Sequence, residues 1–165
     1  MNLDSLRARI DELDSRLVAT LAERQALALL TGRFKNAVRD PARERAVLDR
    51  LTTLAEEPLD AGFIEAIYAL IMGHSRSLQE TGRVCVGYVG PRDRARAVMA
   101  GLRPEAVLIP VADADEALAE LDEGKLDGVL VVSTEATLSA PGTTRALRGP
   151  AGAWSFYQRS SYAPA

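Results

Sequence analysis

Three cations and a set of neutral donors are spaced in this chain so that helical structure would turn them toward one another. Arg24 and Lys35 stand eleven residues apart, almost three full turns, so on one helix they point the same way. Arg43 and Glu44 fall one turn after Asp40, at the start of a second helical pattern. Ser75 and Gln79 form an i, i+4 pair near the end of a third. Each pair alone describes an ordinary solvated helix face. Taken together they make a ring of cations and neutral donors that could surround a small polyanion.

Positioning such a ring needs three helices, and the sequence supplies their signals. No proline interrupts Leu3 to Phe34, and glycine first appears at Gly32. Leu3, Leu6, Ile10, Leu13, Leu17 and Leu21 alternate steps of three and four, the seam of a helix packed lengthwise on others. Such a helix is about 45 Å long, too long for a compact globule of its own, so a second chain is expected to cover its apolar face. Asp40-Pro41 reads as an N-cap followed by proline at the first helical position. The helix it opens runs through Val47, Leu48, Leu51 and Leu54 and stops before Pro58. Asp60 caps a third helix, with Phe63, Ile64, Ile67, Leu70 and Ile71 inward, ending near Gly82.

After Gly82 the period changes. Val84–Val89, Ala106–Val111 and Leu126–Val132 read as strands, with helices expected at Ala95–Leu102 and Ala114–Leu121. This alternation predicts a small parallel α/β unit. Residues 133–165, rich in Ser, Thr, Gly and Pro, are expected to be loops, with one short element at Trp154–Tyr157 and a loose tail. The chain thus reads as an α+β two-part molecule: an all-helical part over 1–82 and an α/β part over 83–165.

The bulk numbers restrict the classes of function. With 165 residues, 47% hydrophobic and 26% charged, the chain has the profile of a soluble globular protein. A net charge of -3 and a pI near 5.3 argue against nucleic acid as the main partner. The start, Met-Asn-Leu-Asp-Ser-Leu-Arg, lacks the basic and apolar regions of a signal peptide, and no apolar run suits a membrane span, so the expected address is the cytoplasm. Cys85 is the only cysteine and His74 the only histidine, which disfavours an internal disulfide and a sulfur–nitrogen metal cage. Within the apolar run Val84-Cys85-Val86, Cys85 reads as a small core residue. His74 and Arg76, flanking Ser75, read as surface residues, and Trp154 and Tyr157–Tyr162 show no site pattern.

The segments Leu6-Arg7-Ala8-Arg9-Ile10-Asp11-Glu12-Leu13-Asp14, Leu21-Ala22-Glu23-Arg24, Gly32-Arg33-Phe34-Lys35 and Arg39-Asp40-Pro41-Ala42-Arg43-Glu44, with Ser75 and Gln79, resemble the all-helical (type II) chorismate mutases over residues 3 to about 81. The pattern is specific because its elements fall on three helices in the family's order. The resemblance implies a three-helix subunit of an intertwined all-α homodimer that rearranges the dianion chorismate to prephenate in aromatic amino-acid biosynthesis, without cofactor or metal. It implies carboxylate clamps at Arg24 and Arg7, with Arg43 and Ser75 in support. Lys35 and Gln79 would donate to the ether oxygen, and Glu44 with the backbone near Asp40 would hold the ring hydroxyl. The pericyclic step asks for no nucleophile or general base, in keeping with a chain that offers no catalytic triad. Arg7 lies seventeen residues before Arg24, about 25 Å along one helix, so if both touch one ligand Arg7 comes from the second subunit. Arg9 is the rival for that place and fits the motif less well. Only Asn36 to Arg39 separate Lys35 from Asp40, so a tight loop is expected beside the pocket.

The second half resembles, more weakly, the opening lobe of prephenate dehydratase, on Val84–Pro91 and on Leu126-Asp127-Gly128-Val129-Leu130-Val131-Val132-Ser133-Thr134-Glu135. After Gly90-Pro91 the chain has Arg92 and Asp93 where that family has glycine and a hydroxyl residue. The family's Glu-Asn pair and its Thr-Arg-Phe motif have no counterpart, so a truncated, degenerate segment without dehydratase activity is expected, one that stabilises the dimer, binds a partner enzyme or tunes the mutase. Gly87-x-x-Gly90 lacks the full dinucleotide fingerprint. Rival readings are an isochorismate pyruvate-lyase or an aminodeoxychorismate mutase on the same scaffold, and a non-catalytic regulatory protein acting through its α/β half.

Overall fold

The computed structural model describes residues 2–34, 40–132, 144–149 and 153–159. Lys35 and the Asn36–Arg39 link, with the tight loop expected there, lie outside the described residues, as do Ser133-Thr134-Glu135 and Tyr162.

Three helices form the first half: α1 (Leu3–Arg33), α2 (Pro41–Thr52) and α3 (Ala61–Gln79). Their starts follow the side chains that satisfy the free N–H groups of a first turn. Asn2 and Ser5 make a reciprocal capping box on α1, Asp40 accepts from the Arg43 N–H on α2, and Asp60 accepts from the Phe63 N–H on α3. Leu54, which the spacing assigns to the second helix, lies past its end at Thr52. At 31 residues α1 is about 46 Å long, and Leu3, Leu6, Ile10, Leu13, Leu17 and Val18 along its first half are all exposed in the single chain. Leu70 on α3 is 77% exposed.

The second half is β1 (Cys85–Val89), α4 (Arg92–Leu102), β2 (Val107–Pro110), α5 (Ala114–Asp122), β3 (Gly128–Val131), β4 (Thr144–Arg148) and β5 (Ser155–Arg159). Strands β2, β1 and β3 are parallel, with Val86 opposite both Leu108 and Gly128. The expectation of a purely parallel unit does not hold, and in the stretch expected as loops with one short element at Trp154–Tyr157, that element is β5 while β4 is additional. Beyond β3 the sheet continues with β5 antiparallel to β3 and β4 antiparallel to β5, in the order β2-β1-β3-β5-β4. Ser155 and Gln158 interrupt the apolar pattern of β5 although both are buried, so hydropathy marks only part of the strand. Register supplies what composition lacks, since Phe156 sits opposite both Leu130 and Leu147. Gly90 closes β1 with φ of +112°, and a Cβ there would stand 2.6 Å from the Val132 carbonyl oxygen, so only glycine fits that turn.

The two halves share one core. Ala26 and Leu29 of α1 are buried with Cys85, Ile109, Leu118, Leu121 and Val129 of the α/β unit. Cys85 is fully buried, as its apolar neighbours suggest, and burial pushes its thiol up to about 11, so it stays protonated at neutral pH. Beside this core Arg33 ties the end of α1 to the sheet. It pairs with Asp127 at 2.7 Å and donates to the carbonyls of Lys125 (3.1 Å) and Arg83 (2.7 Å). Asp127 in turn accepts from the Cys85 N–H at 2.7 Å. Burial is the largest effect on Arg33 and lowers its pKa, but the hydrogen bond to Asp127 and the charge interactions with Cys85 and Asp127 together outweigh it, and the net shift is upward.

Arg33→Ala leaves the carboxylate of Asp127 and two carbonyls short of their donor. We expect it to lower the unfolding free energy by about 2 kcal/mol and the melting temperature by about 6 °C, read by thermal denaturation. A melting curve superimposable on that of the unaltered chain would show that the bridge does not tie the halves together.

Candidate active site

The cavity of interest lies among the three N-terminal helices and has a volume of about 240 Å³. Each helix gives it one stripe of side chains at helical spacing: Arg24, Ala28 and Thr31 from α1; Asp40, Arg43, Glu44 and Val47 from the start of α2; Met72, Ser75, Arg76 and Gln79 from α3. The contacts between α1 and α3 advance together along both helices, from Gln25 with Ile71 to Ala28 with Gln79, so the two run in the same direction.

Small residues on α1 allow the close approach. A Cβ on Gly32 would stand 2.8 Å from Cγ of Gln79. With glycine there, Gln79 lies against the helix and its Nε2 donates to the Ala28 carbonyl at 2.5 Å. Its Oε1 is buried without a partner among the described residues. One amide proton of Nε2 remains for a ligand.

Arg24 is held from both sides. Its Nη1 donates to the Ser75 hydroxyl at 2.9 Å, and its guanidinium carbon stands 6.0 Å from the centre of the Tyr68 ring. The Ser75 hydroxyl lies 2.5 Å from Gln25 Oε1 and 2.9 Å from the Ile71 carbonyl, which compete for its single proton. Gln25 is itself fixed by donating to Ile71 at 3.1 Å. The oxygen of Ser75 is therefore turned toward Arg24 as an acceptor, and the serine is buried.

Across the cavity, Glu44 pairs with Arg76 at 2.7 Å. Arg76, expected on the surface, is a cavity residue instead: it stands one turn after Met72 and three residues before Gln79, on the same stripe of α3. Its neighbour His74 is exposed as expected. The pairing neutralises Glu44, and Asp40 caps α2 through the Arg43 N–H at 3.0 Å. Arg24 and Arg43 form no ion pair among the described residues, so the cavity keeps cationic groups uncommitted to protein carboxylates.

Of the residues singled out by spacing, Arg24, Asp40, Arg43, Glu44, Ser75 and Gln79 come together here, while Lys35 lies outside the described residues. Arg7 does not line the cavity of its own chain. Its side chain is 67% exposed and approaches Asp4 at 4.0 Å. Gln25, Ala28, Thr31, Val47, Met72 and Arg76 were not singled out. Steps of three, four or seven from Arg24, Asp40 and Ser75 reach Ala28, Thr31, Val47 and Met72, whereas Gln25 and Arg76 are the immediate chain neighbours of Arg24 and Ser75.

The family model for type II chorismate mutase matches residues 6–80, the span of all three helices. The chain is 42% identical over 81 residues to the bifunctional chorismate mutase/prephenate dehydratase of Escherichia coli K12, covering 46% of this chain and 21% of that protein. It is 30% identical over 151 residues to the bifunctional protein of the same description from Stutzerimonas stutzeri, covering 83% of this chain and 41% of the relative, so that similarity extends into the α/β half. The chain thus spans well under half the length of these bifunctional relatives. It is 31% identical over 83 residues to the chorismate mutase of Methanocaldococcus jannaschii and covers 84% of it. With that archaeal protein matched over most of its length, and the family pattern matched across α1, α2 and α3, the chain belongs to the type II chorismate mutase family.

Proposed function

We propose that this chain is a chorismate mutase, an isomerase that converts chorismate to prephenate in aromatic amino-acid biosynthesis. The observation that carries the reading is the convergence of Arg24, Arg43, Ser75 and Gln79 on one small cavity whose acids are already committed, Glu44 to Arg76 and Asp40 to the α2 cap. A dianion with two carboxylates suits such a cavity, and guanidinium groups bind carboxylates in a fixed planar geometry.

The reaction is a concerted rearrangement, so the protein's task is to hold the chair-like conformer and to stabilise the negative charge growing on the breaking ether oxygen. In this reading Arg24, kept in place by Ser75, takes one carboxylate, with Arg43 in support. Gln79, pinned through Ala28, offers its remaining amide proton to the ether oxygen, and Lys35 offers a charged donor to the same atom. Glu44 and the backbone beside Asp40 hold the ring hydroxyl. Arg7 belongs to the site of a second chain: it stands about 25 Å from Arg24 along α1, and the exposed apolar row beside it asks for a partner helix. The proposed assembly is accordingly a homodimer with two shared sites. Its address is proposed as the cytoplasm; among the described residues no helix is long and apolar enough to cross a membrane.

Purified protein assayed on chorismate, isochorismate and aminodeoxychorismate decides among neighbouring chemistries on this scaffold. We expect prephenate from chorismate; its absence would sink the assignment. Lys35→Ala is expected to lower kcat by at least about a hundredfold, because its charge matters most in the transition state. An unchanged kcat would remove Lys35 from the site.

Gln79 is neutral at every pH, so activity should not need acid. Gln79→Glu places a carboxylate beside the developing negative charge and should retain useful activity only where it is protonated, below about pH 5. A variant equally active at pH 5 and pH 8 would contradict the role given to Gln79.

Mixing Arg7→Ala chains with Lys35→Ala chains tests the shared site. Random pairing places half the chains in mixed dimers, each with one site intact, and should restore about a quarter of the full activity. No recovery from dimers shown to have exchanged chains would assign Arg7 to its own subunit, and full activity of Arg7→Ala chains alone would assign it to no site.

A further inference from the structure

A second cleft lies where α1 meets the α/β unit, on the side of α1 turned away from the helical cavity. Its volume is about 530 Å³, and four arginines line it: Arg83 at the chain's entry to β1, Arg92 and Arg96 on α4, and Arg103 just after α4. Met99, Val107 and Leu108 line it too, with Ala22 and Ala26 of α1 opposite. None of the residues lining it is an aspartate or glutamate. Arg103 reaches Gln158 Oε1 at 3.5 Å, whereas Arg83, Arg92 and Arg96 make no side-chain ion pair among the described residues.

Gathering these charges works against the local structure. Arg92 and Arg96 are an i, i+4 pair of like charge on one face of α4, and Arg92 stands at the positive end of the helix dipole. Asp93, the only acid in α4, does not line the cleft. A cluster that opposes helix formation and faces an apolar wall has the composition of an anion site: guanidinium forks for the charged group and a hydrophobic surface for the rest of the molecule.

We infer that this cleft binds a small organic anion, one or two carboxylate or phosphate groups on a compact apolar body. The missing carboxylates set the selectivity. A zwitterion such as an α-amino acid would bring its ammonium group among arginines with no acid among the described lining residues to receive it, so the cleft discriminates against amino acids in favour of simple anions. The two cavities have no lining residue in common, although both use α1: Ala22 and Ala26 face this one, Arg24 and Ala28 the other. The inference stands whether or not the helical cavity turns over chorismate.

Calorimetric titration of the full chain with 3-phenylpropionate, phenyl phosphate and phenylalanine tests it. The first and last share a ring and a carboxylate and differ by an ammonium group. Saturable binding of 3-phenylpropionate or phenyl phosphate is expected, the tighter of the two identifying the preferred charged group, with phenylalanine at least tenfold weaker than 3-phenylpropionate. Binding should persist in Arg24→Ala, which alters only the helical cavity, and weaken at least tenfold in the double variant Arg92→Gln/Arg96→Gln. Should the double variant fail to melt cooperatively, Arg96→Glu at the exposed position gives the same reading. No binding by the unaltered chain, loss that follows Arg24→Ala instead of the α4 substitutions, or phenylalanine binding as well as 3-phenylpropionate would each overturn the inference.

Discussion

One helix has to serve three surfaces, and the rest of the molecule is arranged around that demand. The first half of α1 exposes a row of leucines, isoleucine and valine, and its second half divides between two neighbours. Arg24, Ala28 and Thr31 face α2 and α3, while Ala26, Leu29 and Arg33 face the sheet. A 3.6-residue period makes this division possible, because residues one or two apart point to different sides of the same rod. Packing on the sheet therefore fixes α1 at the level where the helical cavity forms, and the Arg33–Asp127 bridge anchors its end.

Within the cavity the arrangement is one of selective neutralisation. Two acids among several cations would cancel much of the field if they faced the ligand unpaired. Glu44 is taken up by Arg76, and Asp40 is occupied by a helix N-terminus, where a carboxylate is stabilised in any case. Among the described residues Arg24 meets a hydroxyl and an aromatic face. Neutral contacts hold its geometry without using its charge, which stays available to a carboxylate. The amide of Gln79 follows the same logic, being positioned by a backbone carbonyl rather than by an ion. Donors fixed in advance need little reorganisation as charge develops, and that is how a site can accelerate a pericyclic step without a nucleophile.

Much of this was legible in the residues. Asp40-Pro41 and Asp60 marked helix starts that the structure places where expected, because a cap is a local interaction between a side chain and an N–H two or three residues away. The spacing of Arg24, of Asp40 with Arg43 and Glu44, and of Ser75 with Gln79 pointed to six residues that share one cavity. Arg76 was read as a surface residue because nothing in its own neighbourhood names Glu44, thirty-two positions earlier, as its partner. Strand β4, and the stretch of β5 beyond the element expected at Trp154–Tyr157, were hidden for a related reason. Ser155 and Gln158 look like loop residues until β5 is flanked on both sides, at which point their backbone groups are satisfied by the ladder.

The chain by itself determined the helices, their caps, the stripe of each that carries polar groups, and the change of period after Gly82, all of which rest on contacts within a few residues. Only the tertiary structure decided that the sheet is mixed, that the α/β unit shares a core with α1, that Arg76 neutralises Glu44, and that Arg83, Arg92, Arg96 and Arg103 line one cleft. The reason is physical. Strand order, charge pairing and cleft formation join residues tens of positions apart, and no periodicity records which distant partner will satisfy a buried charge or an open sheet edge.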